Sequence, residues 1–275
     1  MKLLLILTFF LIISIFKKSD IEKFDNFKHV VKYVNFKKLT LEKFNKLIYS
    51  KKPIIFYNVL KDNITLDKFC SLLGDKKINV RTGNYSTIEG RRKNKLSKLT
   101  NSEKISEYCK KFNDENYNGY GGNNKILQEE ISKLNLVPNN DFIGNFPSGK
   151  LWIGKKNTKT PLHKDYPKNL ALHLVGTKKW VVFNSNDIKN LCYDEKNDIL
   201  EWSNYEIGNY NTCKAAKKAK QINLEINQGE MLYLPEQWSH DVTNITDSIM
   251  VNFWYLSKSI WKSCNNKVYL WKKKN

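Results

Sequence analysis

The spacing of hydrophobic positions changes near the middle of the chain. In the first half they recur every three to four residues, which predicts a helix capped by Thr40, another capped by Thr65 and a third over 102–112. Short apolar runs at 54–57 and 78–80 predict two strands between these helices. A Gly/Asn-rich loop over 118–124 and a helix through 126–134 are expected to follow.

From residue 151 onward the pattern becomes one of short apolar runs separated by turn residues. It predicts strands at 151–154, 170–175, 180–183, 222–226, 230–234 and 249–254. Gly176-Thr177 and Gln228-Gly229 are expected to form tight turns. An α/β front followed by an all-β back indicates helices packed on the outside of a barrel or sandwich, and argues against a doubly wound parallel sheet.

The N-terminus carries an uncharged run from Leu3 to Phe16, flanked by Lys2, Lys17 and Lys18. This run is shorter than the roughly 20 residues that a membrane-spanning helix needs, and it fits the apolar region of a signal peptide. We therefore predict a signal peptide or signal anchor at 1–18 and entry into the secretory pathway. The endoplasmic-reticulum lumen or a membrane-anchored form is favoured, with a nuclear or cytoplasmic location as the alternative.

The net charge of +20 first suggests a nucleic-acid partner. However, only three of the 47 basic residues are arginine, which is the side chain best suited to reading phosphates and base edges. The lysines are spread along a chain that also holds 34 asparagines, as an AT-rich coding sequence would produce. A nucleic-acid partner is therefore not favoured, although the 185–220 segment and the basic tail could still select acidic partners.

The five cysteines contain no C-x-x-C motif, which argues against a zinc ribbon or a thioredoxin-like site. One pair, such as Cys192 with Cys213, could form a disulfide in an oxidising lumen. The glycosylation sequons at Asn63, Asn84 and Asn244 are compatible with that compartment.

Two of the four histidines lie in contexts that favour metal binding. His163 and Asp165 form an H-x-D pair, and alternate residues of an extended segment share a face. His240 follows a predicted strand and a turn containing Pro235. Two imidazoles and one carboxylate leave three positions open on an octahedral Fe(II), whereas either histidine alone would be read as a core or surface imidazole.

Several short motifs occur in a particular order, and together the chain resembles the JmjC/cupin-like Fe(II)- and 2-oxoglutarate-dependent oxygenases. The motifs are Leu151–Gly154, Thr160–Asp165, Gly176–Trp180, Gly229–Pro235, Trp238, His240 and Val251–Tyr255. The resemblance covers about residues 33–257 and is strongest to the small JmjC-only protein hydroxylases. Tyr120–Asn124 also resembles their endoplasmic-reticulum-luminal branch.

This resemblance implies an α+β, mainly β fold, in which a double-stranded β-helix (jelly-roll or cupin) barrel carries N-terminal α/β decoration. The expected segments are a leader at 1–18, a polar lead-in at 19–30, an oxygenase domain at 31–257 and a basic C-terminal tail at 258–275. Within the domain, a helical front over 31–140 is expected to precede a β-helix core over 141–257.

The resemblance also implies the residues of the site. The implied iron ligands are His163, Asp165 and His240. The implied 2-oxoglutarate contacts are Lys178 and Thr160 at the distal carboxylate, with Asn169 and Asn252 along the cosubstrate. His173 departs from the family pattern, because this strand position often carries Gln, and either a supporting role or a packed core imidazole is open to it.

The implied activity is hydroxylation of a protein or peptide side chain with O2, which yields succinate and CO2. Fe(II) and 2-oxoglutarate are the implied cofactors, with ascorbate as a candidate reductant. Three alternatives stay open: a histone or protein lysine demethylase, a non-catalytic luminal adaptor, and an RNA-directed hydroxylase. Membrane association through the N-terminal apolar segment is a further expectation.

Overall fold

The computed structural model describes residues 31–81, 101–114, 117, 119–127, 130, 148–193 and 201–255. The strands are β1 (Lys32–Asn35), β2 (Ile54–Tyr57), β3 (Lys77–Arg81), β4 (Asn101–Lys104), β5 (Tyr120–Leu127), β6 (Ser148–Gly154), β7 (Lys159–Lys164), β8 (Lys168–Val175), β9 (Lys178–Phe183), β10 (Glu201–Trp202), β11 (Ile222–Ile226), β12 (Met231–Leu234), β13 (Ser239–Asn244) and β14 (Ser248–Tyr255). The α-helices are α1 (Leu41–Leu47), α2 (Leu66–Leu72) and α3 (Ile105–Lys110), and 3-10 helices cover Phe36–Lys38, Lys111–Asn113, Ser185–Asn190 and Lys214–Lys218.

Two sheets form the double-stranded β-helix that the sequence predicts. The larger sheet has nine strands in the order β1-β2-β12-β8-β14-β6-β5-β3-β4, and the smaller has five in the order β10-β7-β13-β9-β11. All neighbours are antiparallel except β1 and β2. Apolar side chains of both sheets, including Ala171 and Leu232 from the larger and Trp180 and Val182 from the smaller, fill the space between them. The fold class is therefore confirmed as a jelly-roll sandwich.

The helices cover the outer face of the larger sheet. Phe44 of α1, Phe69 of α2 and Tyr108 of α3 are buried in one cluster with alternate residues of β8 and β14. The side chains of Thr40 and Thr65 accept hydrogen bonds from the backbone N–H groups of the third residues after them, at 3.2 Å in each case. Both predicted helix caps are thus present, because a threonine hydroxyl satisfies an N–H group that has no partner within the helix.

Three predictions for the front half are wrong in part. The third helix begins at Ile105, because 101–104 forms β4 and pairs with β3. The segment predicted as a Gly/Asn loop lies mostly in β5. Gly121 and Gly122 serve close packing there, since a Cβ atom would lie 2.7 Å from Ile78 Cδ1 and 2.2 Å from Trp152 Cε3, respectively. Of the helix predicted through 126–134, Ile126 and Leu127 are strand residues, Glu130 is helical, and the others lie outside the described residues.

The segment between β9 and β11 packs on the outer face of the smaller sheet. Its buried residues Leu191 and Tyr205 contact Phe183 and Leu162 of the sheet in a separate apolar cluster. A disulfide joins Cys192 to Cys213 within this segment, and a second joins Cys70 to Cys109 between α2 and α3. The suggested 192–213 pair is therefore present, together with a pair that the sequence did not indicate; Cys264 lies outside the described residues.

Removing the 192–213 disulfide is expected to destabilise the protein. The pair closes a loop with a sequence separation of 21 residues, which limits the unfolded chain enough to contribute about 3 kcal/mol. The double variant C192S/C213S should lower the free energy of unfolding in urea by about that amount. Reducing agent should then destabilise this variant less than the wild type, and an unchanged urea midpoint in the variant would refute the prediction.

The predicted leader at 1–18 lies outside the described residues, as does the basic tail at 258–275. Among the residues that are described, no helix is both long and apolar enough to cross a membrane.

Candidate metal centre

Two neighbouring strands of the smaller sheet bring the predicted iron ligands together. His163 of β7 pairs directly with His240 of β13, and Asp165 follows the end of β7. One ligand atom from each of the three residues lies within 4.8 Å of the others, and all three residues are buried. Their assignment as iron ligands stays a prediction, but their geometry allows a single ion to contact all three.

Backbone carbonyls fix the orientation of both imidazoles. His163 Nδ1 lies 2.8 Å from the carbonyl oxygen of Pro161, and His240 Nδ1 lies 3.0 Å from that of Trp238. Because a carbonyl oxygen only accepts, each Nδ1 carries the proton and donates it. Each Nε2 is therefore unprotonated, which is the tautomer that a metal ligand requires.

In the described part of the chain, Asp165 forms no ion pair with a lysine or arginine that would compensate its burial. Its carboxyl Oδ2 lies 3.7 Å from His240 Nε2, too far for a hydrogen bond. Burial raises the pKa of Asp165, and the electrostatic effect of the His240 imidazole lowers it to a smaller extent. A divalent cation would supply the missing positive charge, and the two-nitrogen, one-oxygen donor set suits Fe(II).

A β-bulge in β7 determines which residues share the face of the ligands. His163 pairs with His240, and Thr160 pairs with Val242, so three steps along β7 match two steps along β13. Regular alternation would place Thr160 and His163 on opposite faces, whereas the extra residue returns Thr160 to the inner face. Thr160 therefore lies on the same face of β7 as His163.

Lys178 is the most unusual buried residue of the sandwich. Its side chain is fully buried, and its ammonium donates to Asn244 Oδ1 at 2.7 Å and lies 5.9 Å from the centre of the Tyr120 ring. Desolvation lowers the pKa of Lys178 to about 7. No carboxylate among the described residues forms an ion pair with it, so the ammonium is available to bind an anion.

Asn169 and Asn252 are both directed between the two sheets. Asn252 pairs with Ala171, which lies two positions beyond Asn169 on the inner face of β8. Both atoms of the Asn169 amide group and Oδ1 of Asn252 are buried without a hydrogen-bond partner among the described residues. Such polar atoms fit a site that holds a polar ligand, as the prediction requires.

The structure adds two residues that sequence reasoning missed. Trp202 of β10 pairs with His163 and stacks on its ring at 4.7 Å between centroids. Asn244 orients Lys178, and its own Nδ2 donates to Thr158 Oγ1 at 2.7 Å. Its sequon suggested glycosylation, but Asn244 is buried and fully engaged, and Asn63 is the sequon asparagine that is exposed in the described part of the chain.

Replacing Trp202 is expected to weaken metal binding modestly. The stack limits the rotation of His163, and an aromatic contact of this kind contributes about 0.5–1.5 kcal/mol. W202A should therefore lower Mn(II) affinity by about 2- to 10-fold in calorimetric titration, while W202F should stay near the wild type. Equal affinities for W202A and the wild type would show that the stack does not support the ligand.

The 185–220 segment differs from its expected basic character. It contains six lysines and six acidic residues, so the segment as a whole is neutral. Only its end, which includes Lys214, Lys217, Lys218 and Lys220, is distinctly basic. A general attraction for acidic partners therefore has little support from the charge of this segment.

Comparison with known proteins agrees with the fold. A family model described as a cupin-like domain matches residues 39–259. JmjC domain-containing protein A of Dictyostelium discoideum is 25% identical over 238 residues, which cover 78% of this chain and 92% of that protein. JmjC domain-containing protein C of Dictyostelium discoideum is 34% identical over 142 residues, which cover 45% of this chain and 33% of that protein.

A third relative carries an enzyme name. The lysine-specific demethylase JMJ30 of Arabidopsis thaliana is 28% identical over 141 residues, covering 48% of this chain and 33% of its own. The matches to this protein and to protein C thus span only a third of each relative. The family match, which covers most of the chain and includes every residue of the site, shows that the protein belongs to the JmjC/cupin-like family of 2-oxoglutarate oxygenases.

Proposed function

We propose that this protein is an Fe(II)- and 2-oxoglutarate-dependent dioxygenase that hydroxylates a protein or peptide side chain. The observation that carries the proposal is the pairing of two incomplete sites within one sandwich. One is a buried carboxylate and two buried imidazoles, whose ligand atoms lie within 4.8 Å of one another, and the other is a buried ammonium without an anion among the described residues. A metal ion and a dicarboxylate would complete both.

Different residues of the chain would bind the metal ion and the cosubstrate in such a reaction. Bound Fe(II) and 2-oxoglutarate supply the oxidation of a C–H bond by O2, with one oxygen atom entering the product and the other entering succinate as CO2 is released. His163, Asp165 and His240 would hold the ion and leave open positions on one side. Lys178, oriented by Asn244, would bind the distal carboxylate with Thr160, and the apolar lining would exclude water.

Lysine demethylation is the second candidate, because one relative is named a lysine-specific demethylase. The two reactions share the site and differ in the carbon that is oxidised. Oxidation of an N-methyl carbon releases formaldehyde, whereas oxidation of another side-chain carbon gives a stable alcohol. The uncharged run from Leu3 to Phe16 favours hydroxylation, because entry into the secretory pathway would separate the protein from nuclear histones.

Turnover of a peptide library separates these possibilities. The purified full chain would be incubated with Fe(II), 2-oxoglutarate, ascorbate and O2, and H163A would be the matched control. A hydroxylase forms succinate in step with a peptide heavier by one oxygen atom. A demethylase forms formaldehyde and a peptide in which one N-methyl group has been replaced by hydrogen. Succinate no higher than in the H163A control, with any peptide pool, would contradict both and favour a non-catalytic adaptor.

A location in the secretory pathway is part of the proposal. Two disulfides and the exposed sequon at Asn63 support it, since structural disulfides persist mainly in oxidising compartments. Peptide mapping after thiol blocking in intact cells should find the 70–109 and 192–213 pairs oxidised and a glycan on Asn63. Free thiols at all four cysteines would contradict this location.

A further inference from the structure

His173 of β8 is a fully buried imidazole without a hydrogen-bond partner at either nitrogen among the described residues. It lies on the same face of β8 as Asn169 and Ala171, because alternate residues of a strand share a face, and this face is directed at the space between the two sheets. Buried polar groups are nearly always hydrogen-bonded, and an imidazole has both a donor and an acceptor to satisfy. A group that binds inside the sandwich would provide the missing partner.

Two other donors lie on the opposite sheet near His173. The ring of Trp180 is 6.1 Å from its ring centre, and the indole N–H is buried without a partner among the described residues. Lys178 lies two positions before Trp180 and thus on the same face of β9. After its bond to Asn244, the ammonium of Lys178 has two further N–H groups to donate.

The protonation state of His173 suits a donor rather than a second cation. Burial holds the pKa of His173 well below its usual range, and the positive charge of Lys178 lowers it further. The imidazole is therefore neutral near pH 7 and carries one N–H group. This end of the sandwich presents one positive charge together with two neutral N–H donors, which is the pattern expected around a single carboxylate.

We propose that His173 donates a hydrogen bond to the distal carboxylate of 2-oxoglutarate and thereby selects a five-carbon 2-oxo diacid. The proposal rests on the proposed function and adds a residue to the cosubstrate site. A carboxylate has two oxygens and about four acceptor positions, so Lys178 and Thr160 leave part of it unsatisfied in a water-free space. His173 reaches the same end of the sandwich from the other sheet and is suited to the second oxygen.

The test compares 2-oxoglutarate with a shorter acid that shares only its 2-oxo acid end. Full-length protein loaded with Mn(II), without O2, would be titrated with 2-oxoglutarate and with pyruvate, which has the 2-oxo acid but no distal carboxylate. H173L removes the donor, and H173Q keeps an N–H group. We expect H173L to weaken 2-oxoglutarate binding by about 10- to 100-fold, H173Q to restore most of it, and pyruvate affinity to stay unchanged in both.

A spectroscopic measurement detects the same contact in the wild-type protein. The chain has four histidines, so the imidazole nitrogens of ¹⁵N-histidine-labelled protein loaded with Zn(II) can be assigned by comparison with H173Q. The His173 signals should move when 2-oxoglutarate is added and stay in place when pyruvate is added.

The outcomes separate this proposal from the proposed function. Unchanged 2-oxoglutarate affinity in H173L, or equal losses for both acids, would overturn the role of His173 and leave the oxygenase proposal standing. Stationary His173 signals would do the same. A wild-type protein that binds Mn(II) but not 2-oxoglutarate would overturn the oxygenase proposal, and the role of His173 with it.

Discussion

D165N should bind Mn(II) more than about 100-fold more weakly than the wild type, because it removes the only anionic member of the three predicted ligands. The amide has nearly the same volume as the carboxylate, so the packing around it is retained. The metal-free variant should be at least as stable as the metal-free wild type, since the substitution removes a buried charge without a cation. Calorimetric titration measures the affinity, and thermal melting measures the stability.

A matched control uses an exposed carboxylate. Asp62 lies on the surface in the turn before α2, and D62N should bind Mn(II) like the wild type. Succinate formation should fall to background in D165N and remain unchanged in D62N. A D165N protein that binds Mn(II) within about threefold of the wild type would remove the metal centre from the proposal.

K178M should produce opposite changes in binding and in stability. It removes the cation that would pair with the distal carboxylate, and loss of one partner of a buried charge pair costs about 3 kcal/mol, or roughly 100-fold in affinity for 2-oxoglutarate. In the absence of the cosubstrate, however, the variant should be more stable than the wild type. A methionine fills a similar volume and avoids the desolvation of an ammonium.

The stability change should depend on pH in a defined direction. The pKa of Lys178 falls from an ordinary value near 10.5 to about 7 in the folded protein. Between these two values the unfolded chain binds a proton that the folded chain does not, so the free energy of unfolding rises with pH. K178M should lose this part of the rise, and the difference between the two proteins should be largest below about pH 7 and small above pH 10.5.

Lys179 provides a control on the same strand. It is the next residue of β9, and its side chain is exposed on the opposite face. K179M should therefore retain the 2-oxoglutarate affinity of the wild type and its pH dependence of unfolding. Equal effects of the two substitutions would mean that a general loss of positive charge, rather than the buried ammonium, explains the result.

The sequence predicted the apolar strands of the sandwich but not the two strands that carry the histidine ligands. Strands β8, β9, β11, β12 and β14 were all anticipated, with shifts of at most two residues at either end. Strands β7 and β13 were missed because their inner positions hold Thr160, His163 and His240 instead of apolar residues. A functional face breaks the alternation on which strand prediction depends.

The site was predicted through motif resemblance, and its supporting residues were not. Trp202 approaches His163 only through the pairing of β10 with β7, which joins residues almost 40 positions apart. Asn244 belonged to a sequon, so its local sequence indicated a surface residue. Its contact with Lys178 depends on the register between β13 and β9, which the sequence pattern does not specify.

The bulge in β7 decides whether Thr160 and His163 lie on the same face of the sheet. Pro161 occupies the bulge, where the lack of an N–H group removes no ladder bond, and its carbonyl accepts from His163 Nδ1. Regular pairing of this three-residue step, without the bulge, would turn Thr160 toward the outer face. Substitutions that straighten this segment should thus remove the Thr160 hydroxyl from the site, although every residue with an assigned role would still be encoded.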